Sequence, residues 1–369
     1  MDDLTQQRLT IAQIAAAAGV SIPTVSKVIN HRSDVAPATR ERVERIIAER
    51  GYMTNRVEVS LKKERIGLIN LVVPSLSTPY TFEIMRGIQD VVEAAGLRLV
   101  LSVADSETHS ERQWINSVID GSIAGILLVL TDTTRSHLQE LRPHDVPYVV
   151  VDRLGELGPD TPSVGVTNWA AGRMATQYLL SLGHRRIATL PGRAGSASTR
   201  DRLAGYRAAL EEIGLPFDSA LVSYGDFRME VGEAEAEKFL ALPQAPTAIL
   251  TGSDEQALGL YRVMNERGIA VPDEMSIIGF DDTVLASQCT PPLTTMRQPL
   301  YEMGRSATSM LLKLVEGKTL DGTRVELATS LIERCSCAPR RKARVLWNIS
   351  TPAEYRMQRP FAQTKDAVS

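Results

Sequence analysis

The chain has 369 residues, longer than one ordinary domain, which predicts two or three units. Its 43% hydrophobic and 23% charged residues are the balance of a globular protein and exclude a disordered or membrane-embedded chain. Residues 1–63 carry +3 and residues 340–369 carry +5 against a total of −3, which leaves −11 on residues 64–339, so a basic head on an acidic body is the part expected to approach a polyanion. No apolar run reaches spanning length and MDDLTQQRLT has no apolar signal core, so a cytoplasmic protein with no membrane partner is expected. Three cysteines without a spaced framework suit a reducing compartment, and Cys335 and Cys337 would share one face of a strand.

The first predicted helix starts at TIAQ, a capping box in which the Thr10 hydroxyl and the Gln13 side chain serve each other's backbone amides. Ile11, Ile14, Ala15 and Ala18 then recur at helical spacing, and Gly19 supplies the left-handed position that ends the helix. Ser21 caps a second short helix, in which Pro23 falls in the first turn, where amides have no intrahelical acceptor. Its apolar side is Val25, Val28 and Ile29, which leaves Ile22, Thr24, Ser26, Lys27 and Asn30 outside. A third helix in PATRERVERIIAERGY, with Val43, Ile46 and Ile47 inward and Gly51 as its stop, closes a three-helix core. Two short helices about a glycine turn form a helix-turn-helix, whose second helix presents its outer face to a groove.

The runs TIAQIAAAAGVSIPTVSKVIN, TRERVERIIAERGY and NRVEVSLKK resemble the DNA-binding head of the lactose-repressor (LacI/GalR) family of bacterial transcription regulators, and the resemblance continues through about residue 338. It implies a helix-turn-helix head over 1–53, a hinge helix over 54–64 and a two-lobed ligand-binding and dimerisation domain over 65–338, and the residues beyond it, 339–369, read as a disordered tail. By the same resemblance Ile22, Pro23 and Lys27 lie where family members read base edges, and Thr10, Ser21, Thr24, Ser26, Asn30, Tyr52 and Asn55 lie where they touch phosphates. Chemistry supports this division: Lys27 can donate to guanine O6 or N7 and Ile22 can pack on a thymine methyl, while hydroxyls and amides position the protein on phosphate. The hinge would place Leu61 in the minor groove as an apolar wedge, although Glu58 and Val59 stand where the family usually has Ala-Arg.

Beyond Glu64 the texture changes to short apolar strands, IGLINLVV, LRLVLSV, IAGILLVL and VPYVVVD, alternating with helices such as FEIMRGIQDVVEAAG. A second set runs RIATLP, ALVSYG, TAILT and MSIIGF. Runs of this kind predict parallel sheets in an α/β fold. The resemblance extends here to periplasmic sugar-binding proteins: two Rossmann-like lobes, an N-lobe of about 65–165 and 298–325 and a C-lobe of about 166–297 and 326–338, with ligand in the cleft.

Ligands in such folds collect at the carboxyl ends of strands. The Asp281–Asp282 pair follows MSIIGF, and Asp281 matches the residue that holds ligand hydroxyls in sugar-responsive members, with Phe280 available to stack on a sugar face. Arg202 in STRDRLAGY matches the ligand-contacting arginine, with Arg200 beside it, and Asp254 follows a Ser253 that replaces the more usual Asn. Tyr80, Arg153, Asn168, Trp169 and Phe227 also fall at matching cleft positions. Aromatic faces with charged forks favour a sugar over a purine.

No P-loop, H-E-x-x-H, C-x-x-C or G-x-S-x-G occurs, and His184 in LGHRR has the setting of a structural histidine, so no enzyme, cofactor or metal site is expected. The tail after Pro339 lacks heptads, which leaves a homodimer rather than a tetramer as the expectation. The reading is a repressor that binds a pseudo-palindromic double-stranded DNA operator and is released by a small-molecule effector, a sugar or oligosaccharide. The alternative is a corepressor-dependent regulator that answers to a nucleobase or other metabolite.

Overall fold

A computed structural model describes residues 11–29, 32, 35–49, 67–103, 123–129, 146–152, 157–158 and 160–340. Thr10, Asn30, Tyr52, Asn55, Leu61 and Arg153, the hinge expected over 54–64 and the tail beyond 340 lie outside them.

The head consists of α1 (Ile11–Ala18), α2 (Ile22–Ile29) and α3 (Pro37–Glu49). Gly19 takes φ 63 between the first two, the left-handed stop its position implied. Ile14, Ala15, Ala18, Val25, Val28 and Val43 are buried together, with Ile46 half-buried against them.

Two sheets make the body. The first contains β1 (Leu68–Val73), β2 (Arg98–Val103), β3 (Ile123–Val129), β4 (Tyr148–Val151), β5 (Ser163–Val166) and β10 (Arg324–Leu327), in the order β10-β5-β4-β3-β1-β2, with every pair parallel. The second contains β6 (Ile187–Leu190), β7 (Ala248–Thr251), β8 (Ser276–Asp281), β9 (Thr294–Arg297) and β11 (Ser330–Ile332), in the order β11-β9-β8-β7-β6, with only β11 antiparallel. Strands such as β1 and β8 are buried along nearly their whole length because helices cover them, which explains their unbroken apolar sequences. Because β10 pairs with β5, the N-lobe sheet extends through Leu327, two residues past the border expected at 325.

Helix α4 (Pro79–Ala94) starts earlier than its apolar pattern indicated, because Thr78 accepts from the Thr81 amide and Pro79 occupies the first turn. It packs with α10 (Leu300–Val315) over the first sheet. On the second sheet, α5 (Asn168–Ser181) pairs with α6 (Ala197–Glu211) on one face and α7 (Met229–Leu240) with α8 (Asp254–Glu266) on the other; the short α9 (Val284–Gln288) follows β8. Each helix pair meets at facing glycines. A Cβ on Gly87 would stand 2.0 Å from the Tyr301 carbonyl oxygen and one on Gly304 2.2 Å from that of Ile84, and Gly172 with Gly205 and Gly232 with Gly259 repeat the arrangement.

The stretch ALVSYG does not form a strand. The Asp218 side chain caps a 3-10 turn over Ser219–Leu221, and only Val222 bridges to Thr189. Cys335 and Cys337 likewise lie beyond β11, Cys335 exposed and Cys337 half-buried with its thiol directed at the Ile277 carbonyl, so they share no strand face. Three segments carry the chain between lobes: Thr167, Gln298–Pro299 and residues 328–329. The first and third are tied where the Thr329 amide donates to Thr167 Oγ1 at 3.2 Å.

Candidate functional site

Two surfaces carry the residues singled out in the sequence. On α2, Val25 and Val28 turn inward and Ile22, 47% exposed, stands in solvent with Pro23 and Lys27. Thr24 and Ser26 are half-buried. The Ser21 hydroxyl lies 2.9 Å from Thr24 Oγ1 and accepts from the Thr24 amide at 3.3 Å, so it caps the helix as expected. This is a compact convex face with one apolar tip and one cation.

The second surface is a cavity of about 140 Å³ between the lobes. Tyr80, Thr78, Thr81 and Asp152 line it from the N-lobe, Arg202, Phe227, Ser253, Glu255 and Asp281 from the C-lobe, and Gln298 from the crossing segment. These positions follow from the strand ends: β4 stops at Val151, β8 ends at Asp281, and β9 delivers Gln298. Asp152, Asp281 and Asp282, with φ of 49, 114 and 58, are the non-glycine residues with positive φ among the described residues. Such backbones cost ~1–3 kcal/mol each and persist where the surroundings impose them, most often at functional sites.

Polar contacts are specific. The Tyr80 hydroxyl donates to Asp152 Oδ2 at 2.7 Å, and Gln298 Nε2 donates to Asp281 Oδ1 at 2.6 Å. Arg202, 5% exposed, donates from Nε to Asn168 Oδ1 at 2.7 Å and from Nη1 to the Gly252 carbonyl at 2.8 Å, and its guanidinium lies 3.6 Å from the Phe280 ring centre. The Gln298 Oε1 atom is buried with no hydrogen-bond partner. Gly192, at φ 130, leaves the space in which the Phe227 ring lies, 2.5 Å from where a Cβ would stand.

Burial dominates the electrostatics. It raises the Asp281 carboxyl well above the usual range, Asp254 adds to that, and the Arg202 charge opposes it. Burial also lowers the Arg202 guanidinium, while Asp152 and Asp281 push it back up. The Tyr80 hydroxyl is raised by burial and then by the Asp152 charge it faces. One buried cation therefore sits beside a carboxyl, Asp281, that burial inclines toward its neutral form.

The residues named from sequence do not all converge. Tyr80, Arg202, Phe227 and Asp281 line the cavity. Phe280 is 1% exposed and covered by Arg202, so its ring supports the arginine and does not face the cavity. Asn168 stands behind Arg202 and borders a smaller cavity of about 30 Å³. Asp254 faces away: Oδ2 accepts from the Thr283 amide at 2.7 Å and Oδ1 from the Thr295 hydroxyl at 2.7 Å, and burial lifts its carboxyl to about 6. Trp169, 47% exposed, lies with Arg173 on the surface of α5, and Arg200 is exposed outside the lining. Sequence reasoning missed Asp152, Glu255 and Gln298, as well as Arg193, which pairs with Asp226 at the rim. Asp152 and Gln298 each end or follow a strand, so the strand-end rule held the signal.

Comparison with known proteins agrees with this geometry. A family model described as bacterial regulatory proteins, lacI family, matches residues 10–55, and one for a periplasmic binding protein-like domain matches residues 176–337. The chain is 35% identical to the transcriptional regulator CelR of Thermobifida fusca over 89% of this chain and 98% of that one. It is 33% identical to catabolite control protein A of Priestia megaterium over 86% and 96%, and 31% identical to the repressor PurR of Vibrio atlanticus over 88% and 97%. Among solved structures it is similar to a CelR–cellobiose complex (TM-score 0.68, 34% identity, 89% and 100% covered). It is also similar to the lac repressor dimer bound to operator and the anti-inducer ONPF (TM-score 0.67, 29% identity, 90% and 100% covered).

Proposed function

The chain belongs to the LacI family of bacterial regulatory proteins, and from that premise we propose that it is a repressor whose grip on an operator is set by a sugar or oligosaccharide in the inter-lobe cavity. It is a DNA-binding transcription regulator and not an enzyme. Two copies place two α2 helices in successive major grooves of a pseudo-palindromic duplex, with Ile22 and Lys27 toward base edges. Effector in the cavity favours one arrangement of the lobes, and it releases DNA only by the difference of its affinity for the two arrangements, ~1–3 kcal/mol in typical cases.

The observation that carries the sugar reading is Gln298 Oε1, a buried carbonyl oxygen without a partner beside the Asp281 carboxylate. A buried acceptor left unmade costs ~1–3 kcal/mol, which a ligand hydroxyl removes by donating to it. Phe227 supplies a flat apolar wall, and Arg202 supplies donors for ring or hydroxyl oxygens. The cellobiose in the CelR complex is consistent with a ligand of this class. The same unpartnered acceptor admits a second reading, a nucleobase acting as corepressor, because ring N–H groups also donate.

Calorimetric titration of the full chain with cellobiose, D-ribose, adenine and guanine, paired with affinity for a duplex selected from random sequences, tests both. Binding of a sugar that weakens the DNA complex is expected. Binding of a nucleobase alone, strengthening that complex, overturns the sugar reading.

A further inference from the structure

At the paired ends of β8 and β9, Asp281 stands opposite Arg297, and the next residues are Asp282 and Gln298. The side chains cross over in pairs. Gln298 reaches back to Asp281 on the cavity side, while Arg297 Nε donates to Asp282 Oδ2 at 2.6 Å on the other. The second Asp282 oxygen accepts from Arg334 Nη2 at 2.6 Å, and Arg334 Nη1 holds the Leu293 carbonyl at 2.8 Å. The Asp282 side chain is 6% exposed and both of its oxygens are engaged.

One of these partners stands where the chain changes lobe and the other anchors it within the second sheet. Arg297 is the last residue of β9, directly before the crossing at Gln298–Pro299, and Arg334 follows β11, which the chain enters from the crossing at 328–329. Asp282 adjoins the residue that faces the cavity, and both stand on backbone of positive φ, 114 at Asp281 and 58 at Asp282, which leaves the pair little freedom to rearrange separately. A charge-assisted pair closed on both oxygens has little freedom to follow a moving neighbour without moving its own partners.

We propose that Asp282 is a positioning residue for the effector response: held from behind by Arg334, it grips through Arg297 the C-lobe end of the Gln298–Pro299 crossing and passes to it any displacement of the adjoining Asp281. This rests on the reading of the cavity as the effector site, but the clamp itself has a test that needs no ligand. Within each lobe the helices are locked by glycine contacts, so the crossings are where an angle between lobes can change.

In the full chain, spin labels carried on non-natural amino acids at the exposed positions Ala95 and Glu211 report the distance between the lobes. Arg297→Met removes a half-exposed arm without burying a charge, and Asp282→Asn removes the charge at constant size. Both are expected to broaden the inter-lobe distance distribution and leave the wild-type fold intact by circular dichroism. An unchanged distribution in both overturns the clamp.

With cellobiose or D-ribose, whichever binds the wild type, the variants are expected to keep its affinity and lose most of its effect on DNA affinity, which in coupled systems is about 5–150-fold. Loss of sugar affinity and sugar effect in equal measure, or an intact effect, overturns the positioning role, since a merely structural residue does not separate the two. If no sugar or nucleobase affects the wild type, the function proposed above fails, and the distance distribution alone decides the clamp.

Discussion

Helix α2 keeps the side chains proposed to read DNA in water, with Ile22 at 47% exposure, whereas the cavity between the lobes holds Arg202 at 5% and Asp281 at 7%. The head meets a partner whose charge is already outside and whose grooves admit a convex rod, so its residues need only be displayed. A ligand of the kind proposed for the cavity is small and neutral, and a site for it must supply fixed dipoles in a dry place. That requires each group to be held by another before the ligand arrives, as Tyr80 holds Asp152 and Gln298 holds Asp281. Display leaves stability almost untouched, and pre-arrangement ties recognition to stability.

The contrast is broken most severely at Arg202. Arg202→Met leaves Asp152 and Asp281 buried without their cation and is expected to cost about 3–5 kcal/mol of unfolding free energy, read by urea denaturation. A midpoint equal to that of the wild type would show the cavity charges to be uncoupled. Asp281→Ala orphans Gln298 Nε2 as well as Oε1, so a loss of about 1–3 kcal/mol in stability is expected together with loss of ligand response, while affinity for selected DNA is kept. A response that survives this change removes Asp281 from the effector site.

On the head the signs reverse. Lys27→Ala is expected to cost ~1–3 kcal/mol of operator affinity and relax preference at one base pair, with the thermal midpoint unchanged. A drop in that midpoint would mean that Lys27 serves the fold.

A pH series sharpens the comparison further. Native Asp254 keeps its proton up to about pH 6, while the unfolded chain releases it near an ordinary carboxyl value, so native protein binds more protons through that window. The contribution of Asp254 to stability is then expected to fall as pH rises from about 4 to 6, on the order of 1 kcal/mol per pH unit, and to level off above. Asp254→Asn should flatten the slope measured by denaturation at each pH, and a slope that persists assigns it to Asp281, which is shifted in the same direction. Smallest of all, Trp169→Ala on the exposed face of α5 is expected to change stability by less than about 0.5 kcal/mol and ligand affinity not at all. A lost ligand would return Trp169 to the cleft.

The head was open to reading because its signals are local. Gly19 and Ser21 frame the turn, and removing Val25 and Val28 from the α2 surface leaves the outer face by subtraction. In the body β1–β4 and β6–β8 were legible as apolar runs, whereas β5, β9, β10 and β11 were not marked, ALVSYG forms no strand, and of the helices only the run within α4 was singled out. The cavity was half legible, since it is assembled from residues 80, 152, 202, 281 and 298, brought together by strand ends that no single window contains. Phe280 illustrates the limit: its neighbour Asp281 faces the cavity, and the alternation of a strand turns Phe280 under Arg202 instead. Asp254 shows another, because a carboxylate at a helix start satisfied by two threonines cannot be told from a ligand-holding one until Thr283 and Thr295 are seen beside it.

The facing glycines of the helix pairs have a consequence for how such a protein is improved or damaged. Exchanging glycine for alanine inside a helix is a common route to thermostability, worth ~1 kcal/mol in propensity. At Gly87, Gly172, Gly205, Gly232, Gly259 and Gly304 the added methyl would be driven into a neighbouring backbone at 2.0–2.2 Å, prising whole layers apart. At these sites the chain forgoes intrinsic helicity for interlayer fit, which makes each lobe a hard piece whose layers resist deformation.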